Sequence, residues 1–180
     1  MSKILVCPIA FNENTKIRNT IERFLESPVR TRVDYLVVDD GSTDSTSPII
    51  QNYGLKGIKT IKHEYRRGVG KAIRTAIDYA RESGYEILVS MAGNNKDNPD
   101  EIERLIEPIL KEGYDFVQGS RYQEKGAAGG DMPLYRKIAT RLHAFFMSWL
   151  TGRSVTDSTN GFRAFRLSLF DDARININQE

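Results

Sequence analysis

The chain has 180 residues, 39% hydrophobic and 28% charged, with a formal net charge of +2. That length suits one domain with a single core, and the near-neutral balance gives no footprint for a nucleic-acid partner. One cysteine, Cys7, excludes an internal disulfide, and one Cys with two His excludes a Cys/His metal cluster. Cys7 lies in an apolar run and reads as a small buried hydrophobe rather than a reactive thiol. Met1 to Pro8 is no secretory signal, and no stretch approaches the roughly 18 apolar residues of a membrane span. The expectation is a cytoplasmic protein, peripheral on a membrane at most.

Lys3 to Cys7 reads as a first strand, and Pro8 to Asn14 as a polar loop. Ile17, Ile21, Phe24 and Leu25 fall at helical spacing, which predicts a helix over roughly Glu13 to Ser27. Val33 to Val38 is a second strand that empties into Asp39-Asp40-Gly41-Ser42-Thr43-Asp44, a loop and helix start leading to about Tyr53. Ile58 to Ile61 is a third strand. Val69, Ala72, Ile73, Ala76, Ile77 and Ala80 mark one face of a helix that Gly84 ends. Glu86 to Met91 is a fourth strand. Pro99 opens a helix with the stripe Ile102, Leu105, Ile106, Ile109 and Leu110, and Tyr114 to Gln118 is a fifth strand. Strand and helix alternate, which predicts an α/β fold with a mainly parallel, doubly wound sheet and helices on both faces.

The regularity stops after Ser120. Gly126 to Gly130 reads as a mobile loop rather than a phosphate cradle. A helix from about Pro133 to Leu150 carries Leu134, Ile138, Leu142, Phe145, Phe146, Trp149 and Leu150 together with Arg136, Lys137 and Arg141. Arg121 to Arg153 holds six basic and two acidic residues. Two readings of this helix stand side by side: an ordinary helix packed on the sheet, and a basic amphipathic helix lying in a lipid interface.

Five polar clusters sit at strand ends or in the irregular tail, where ligands of open α/β sheets bind. In Pro8 to Asn14, Asn12 and Glu13 offer groups to read a base or ribose, and equally suit a helix cap. Asp39 and Asp40 are adjacent carboxylates that repel unless donors or a cation offset them, and a turn hardly needs both. Arg66 to Lys71 places Gly68 and Gly70 at a helix start, which suits an anion, though it lacks the spacing of a P-loop. Met91 to Asp97 follows the fourth strand. Asp157 to Arg163 gathers an acid, an amide and a guanidinium, part of which a turn with a surface ion pair would explain.

Taken together and in this order, these clusters resemble the family-two glycosyltransferases of GT-A fold, and among them the dolichol-phosphate mannosyltransferase and polyprenyl-phosphate glycosyltransferase branch. The matching stretches are Pro8 to Glu13, Val38 to Asp44, Arg67 to Ala72, Gln118 to Tyr122 and Asp157 to Arg163. Each is weak alone; the ordered set spans nearly the whole chain. The resemblance implies a Rossmann-like catalytic domain, with residues 1–120 binding a nucleotide-diphospho-sugar donor and residues 121–180 forming the acceptor side. It implies an inverting hexosyl transfer to a lipid-phosphate acceptor, a polyprenyl phosphate of the dolichyl type, at a membrane surface. By motif match, Pro8, Ala10, Glu13 and Asp39 contact the base and ribose, with Asn12, Asp40, Gly68, Lys71, Ala92 and Asn94 around the donor. Arg121 meets phosphate, Ser120, Asn160 and Arg163 lie on the acceptor side, and Asp157 is the candidate base. Phe165 to Glu180 is shorter than the region that comes after Gly-Phe-Arg in this branch, which predicts a further C-terminal part.

One departure stands out. The family usually carries Asp-x-Asp after the fourth strand to hold a divalent cation, Mg²⁺ or Mn²⁺, on the diphosphate. Here those positions are Ala92, which has no ligand atom, and Asn94, which is neutral. Either the Lys96 ammonium partly replaces the metal, or Asn94 and Asp97 hold a weakened metal site together with the diphosphate. Two further alternatives are a family-two enzyme acting on a saccharide or protein hydroxyl, and a non-catalytic nucleotide-sugar-binding module.

Overall fold

The computed structural model describes residues 3–122, 133–172 and 174–175. The Gly126 to Gly130 run and the tail from Asn176 lie outside the described residues. Among the described residues, six strands form one sheet: β1 (Ile4–Ala10), β2 (Asp34–Asp39), β3 (Ile58–Lys62), β4 (Ile87–Ala92), β5 (Phe116–Gln118) and β6 (Arg163–Arg166), in the order β3-β2-β1-β4-β6-β5. The α-helices described with them are α1 (Ile17–Glu26), α2 (Thr46–Gln51), α3 (Val69–Glu82), α4 (Ile102–Lys111) and α5 (Leu134–Thr151).

The first four strands are parallel, as strand–helix alternation requires. Their residues divide by parity, because successive side chains of a strand point to opposite faces. Ile4, Val6, Tyr35, Val37, Ile87 and Val89 pack with α1, α2 and α4 on one face. Leu5, Cys7, Leu36, Val38 and Leu88 pack with Ala72, Ala76, Ile77 and Ala80 of α3 on the other. Burial on both faces explains why these strands read as continuous apolar runs. Phe24 stacks on Tyr35 with ring centroids 3.9 Å apart, and full burial of such a side chain contributes about 1.5–3 kcal/mol.

The far edge differs from the expected order. β6 lies between β4 and β5 and is antiparallel to both. The sequence gives little sign of it, because Arg163-Ala164-Phe165-Arg166 is short and only Ala164 is fully buried. The helix expected from Glu13 starts at Ile17, and the one expected to reach Tyr53 ends at Gln51. Asn12 caps neither helix; it is exposed, at φ 53°. Of the two readings of the basic amphipathic helix, ordinary packing fails: Ala144 is the only buried residue of α5, while Leu134, Phe145, Trp149 and Leu150 are 65–74% exposed.

Candidate active site

The carboxyl ends of β1, β2 and β3 are tied to one another through side-chain bonds to backbone. The Asn12 N–H donates to Ser42 Oγ (3.0 Å) and the Glu13 N–H to Thr46 Oγ1 (2.8 Å). In return Asn12 Oδ1 accepts from the Thr43 N–H at 2.9 Å. Asp39, with no exposed surface, accepts from the Ser42 N–H at 2.9 Å and from the Ser47 hydroxyl. Asp40, 2% exposed, accepts from the Arg67 and Gly68 N–H groups (2.9 and 2.8 Å) and lies 2.8 Å from His63 Nδ1. Burial pushes the Asp40 pKa up, but His63 and the two amides more than offset it, and the carboxyl titrates below its ordinary value. The expected repulsion between adjacent carboxylates is thus met by separate sets of donors, and both carboxylates serve the loops' own framework. Gly41, at φ 75°, sits where a Cβ would lie 2.3 Å from the Tyr65 carbonyl carbon, so only glycine fits.

The loop after β4 is seated against β1 and α1. A Cβ on Gly93 would lie 2.9 Å from Ala10 Cβ and from Ile9 O. Thr20 Oγ1 donates to the Gly93 carbonyl (3.1 Å), and Arg23 reaches both Asn95 Oδ1 and Asn98 Oδ1 at 3.0 Å. Neither Thr20 nor Arg23 announces this role in the sequence, since each falls at an unremarkable helix position. Asp97 turns back to accept from the Ala92 N–H at 2.7 Å, and Asn94 Oδ1 accepts from the Lys96 N–H at 3.3 Å. Burial raises the Asp97 pKa, only partly offset by the Ala92 N–H and the Arg121 and Lys96 charges. Lys96 is exposed and makes no ion pair among the described residues.

The acceptor-side residues meet around one ion pair. Arg121 Nε lies 2.7 Å from Asp157 Oδ2, and Arg121 Nη2 lies 3.0 Å from Oδ1, a bidentate match. The Asp157 side chain has no exposed surface. Burial pushes its pKa up, but Arg121 and the Thr159 and Arg121 backbone N–H groups bring it below the ordinary carboxylate value. Gln118 Nε2 donates to the Asp157 carbonyl (2.8 Å), Asn160 Nδ2 to the Gly119 carbonyl (3.0 Å), and Arg163 Nε to the Asn160 carbonyl (2.7 Å). Ser120 Oγ accepts from Thr156 Oγ1 at 2.8 Å. α5 joins this cluster by its polar side: Tyr122 and Thr140 hydroxyls are 2.7 Å apart, His143 Nδ1 is 2.5 Å from Ser158 Oγ, and Ser148 Oγ donates to the Val155 carbonyl (3.1 Å). Its aromatic side is left facing outward.

Between α3 and β6 lies an open cleft of about 810 Å³. Arg66, Arg67, Lys71 and Arg74 line it, with Phe165 and Phe170 among its apolar groups. Four cations there suit an anionic ligand. A protein-held divalent cation fits the chain's own residues poorly. Among the described residues no three of His, Cys, Asp and Glu gather into a metal-binding group, Ala92 offers no ligand atom, and Asp97 is the one carboxylate in its loop.

The glycosyl transferase family 2 model matches residues 6–174. The UDP-N-acetylglucosamine–dolichyl-phosphate N-acetylglucosaminyltransferase of Methanococcus voltae is 32% identical over 91% of this chain and 69% of its own. The polyprenol monophosphomannose synthase of Mycolicibacterium smegmatis is 29% identical over 78% of this chain and 53% of its own. Glucosyl-3-phosphoglycerate synthase of Mycobacterium tuberculosis, solved with Mn²⁺, UDP and phosphoglyceric acid, superposes with a TM-score of 0.69 at 22% identity, covering 94% of this chain and 57% of that one. The chain thus spans about half to two thirds of the length of these relatives. The ordered loops at the strand ends, the order β3-β2-β1-β4-β6-β5 and a family match over nearly the whole length agree: the chain belongs to the family-two glycosyltransferases and has the GT-A fold.

Proposed function

We propose that the protein transfers a hexosyl unit from a nucleotide-diphospho-sugar to a polyprenyl phosphate of the dolichyl type, with inversion, at a membrane surface. The observation that carries this reading is α5. Its polar side is hydrogen-bonded to the segment around Asp157 while its aromatic side faces outward unpartnered, as an interfacial helix requires. The names of the polyprenyl- and dolichyl-phosphate relatives support the same acceptor class. Among the described residues no helix is long and apolar enough to cross a membrane, so α5 is proposed to lie on the bilayer rather than span it.

In this reading the acceptor oxygen attacks the anomeric carbon as the bond to the donor's diphosphate breaks, and the nucleoside diphosphate leaves with the electron pair. A phosphate monoester has a second pKa of about 6 and is largely ionised at neutral pH. It needs little deprotonation, so Asp157 orients rather than abstracts, in keeping with its depressed pKa. Arg121 meets the acceptor phosphate, with Ser120, Asn160 and Arg163 shaping that side. Asn12 and Glu13 border the base and ribose with the buried Pro8 and Ala10 backing them at the end of β1, and Gly68 and Lys71 face the diphosphate. Asp39 and Asp40 hold these loops in shape. Lys96 offers its exposed ammonium to the leaving diphosphate, the function a divalent cation supplies in Asp-x-Asp relatives.

The test is transfer from labelled UDP- and GDP-sugars to polyprenyl phosphate in liposomes, with and without EDTA. Label should move into an organic-extractable, mild-acid-labile lipid, and EDTA should lower the rate less than about tenfold. Label appearing only in water-soluble saccharide would overturn the acceptor. Activity abolished by EDTA and restored by Mn²⁺ would overturn the role given to Lys96.

A further inference from the structure

The loop after β3 is held by a residue that nothing in the sequence marks. His63 directly follows β3 and is 7% exposed. Its Nδ1 lies 2.8 Å from Asp40 Oδ1 and its Nε2 lies 2.9 Å from Thr75 Oγ1 on α3. Its backbone N–H donates to the Asp39 carbonyl at 2.9 Å. One imidazole therefore joins the end of β2, the end of β3 and the first turns of α3.

Asp40 passes this constraint on. A carboxylate has about four acceptor positions, and here Oδ1 takes the His63 ring and the Arg67 N–H while Oδ2 takes the Gly68 N–H. Gly68, at φ 90°, is the cap residue from which α3 starts. Arg66 and Arg67 before it, and Lys71 and Arg74 after it, line the basic cleft. Without the ring, the carboxylate keeps only the Arg67 and Gly68 N–H groups, and the side-chain link from Asp40 to the end of β3 and to Thr75 of α3 is lost.

We propose that His63 is a positioning residue: it fixes the Asp40 carboxylate, and through it the Arg67–Gly68 turn that presents the cleft's cations to a nucleoside diphosphate. The ligand named here rests on the proposed donor, whereas the brace rests on geometry alone.

The experiment compares His63→Asn, His63→Gln and His63→Ala, each checked for folding by thermal melt. The Asn amide nitrogen overlays Nδ1 and keeps the Asp40 bond; the Gln amide nitrogen overlays Nε2 and keeps only Thr75. Amide hydrogen exchange at Arg67 and Gly68 reads the brace, and calorimetric titration with UDP and GDP reads its effect on the ligand. His63→Asn should stay within about twofold of the parent in both, whereas His63→Gln and His63→Ala should exchange about tenfold faster and bind nucleotide about tenfold more weakly, as expected for a lost hydrogen bond to a charged group. Asn and Gln variants that behave alike, or unchanged protection at Arg67 and Gly68 in His63→Ala, would overturn the brace and leave His63 as filling. If the parent protein binds neither UDP nor GDP, the donor reading falls, and the exchange contrast still decides the brace by itself.

Discussion

The ends of β1, β2 and β3 and the segment after β5 keep their polar groups in order by different means. In the first region each buried carboxylate takes several short bonds from backbone amides and hydroxyls of neighbouring loops, as Asp39 and Asp40 do. In the second a single bidentate pair, Arg121–Asp157, holds most of the charge, and the adjoining helix buries only Ala144. Donors drawn from several loops make a seat in which the charge is spread over many partners and each bond places its own loop. A carboxylate balanced mainly by one guanidinium, with the Thr159 N–H and hydroxyl as its lesser donors, makes a site that an incoming anion can rearrange by competing for the guanidinium.

The sharpest way to break this contrast is Arg121→Ala. It strands the Asp157 carboxylate without its guanidinium, and urea unfolding at neutral pH should show a loss of about 3–5 kcal/mol. Without Arg121, burial governs and the Asp157 pKa rises, so the deficit should narrow as pH falls and the carboxyl protonates. A loss under about 1 kcal/mol would place the two regions on the same footing.

Gly41→Ala probes the other region. Its Cβ would meet the Tyr65 backbone in a conformation that L residues rarely adopt, and roughly 2–3 kcal/mol should be lost. The damage should stay local, visible as faster amide exchange around Tyr65 to Gly68 with little change near Asp157.

Acid titration separates the carboxylates by sign. Asp40 and Asp157 have folded pKa values below the unfolded value of about 3.9, so their contribution is present above that pH and is lost as pH falls through the folded values. Asp97 runs the opposite way: its folded pKa is raised, so its contribution is present at low pH and is lost as pH rises through the folded value. Asp97→Asn should therefore be neutral or stabilising at pH 7, while Asp40→Asn should be destabilising there and show a shallower fall below pH 4. Denaturant midpoints measured between pH 2 and 7 check both slopes.

The smallest expected effect on stability lies on α5. Trp149→Ser removes a side chain that is 74% exposed, and the unfolding free energy should change by less than about 0.5 kcal/mol. Flotation with anionic liposomes at low salt should nevertheless drop several-fold. Unchanged flotation would leave the outward aromatic side of α5 without its proposed role.

The four parallel strands and α3 were legible because a sheet buried on both faces and a one-faced helix leave strong periodic signals, as Val33 to Val38 and Val69 to Ala80 do. β6 was not, because four residues flanked by arginines carry too little pattern. Of the candidate site, the clusters that hold it could be picked out as polar residues at strand ends. Their wiring could not: Asn12 binds the loop after β2 rather than capping α1, and His63 finds Asp40, 23 positions earlier in the chain, only because parallel pairing sets β2 beside β3. Local sequence reports propensity, and these bonds depend on which strands become neighbours.

The antiparallel placement of β6 has an architectural outcome. Gln118 at the end of β5 faces Arg163 at the start of β6, so the chain leaves the sheet after Gln118 and re-enters it at Arg163, on one rung of the ladder. Ser120, Arg121, Asp157 and Asn160 of the proposed acceptor side therefore hang from a single excursion, with Arg163 at its foot on β6, and its length hardly matters to the sheet, since doubling a loop costs only about 0.6 kcal/mol in closure entropy. Such an excursion is an exchangeable cassette. Grafting the 119–162 segment of a relative onto this sheet should carry acceptor preference with it and leave nucleotide preference behind, and product analysis of one such chimera would show whether the two specificities are inherited separately.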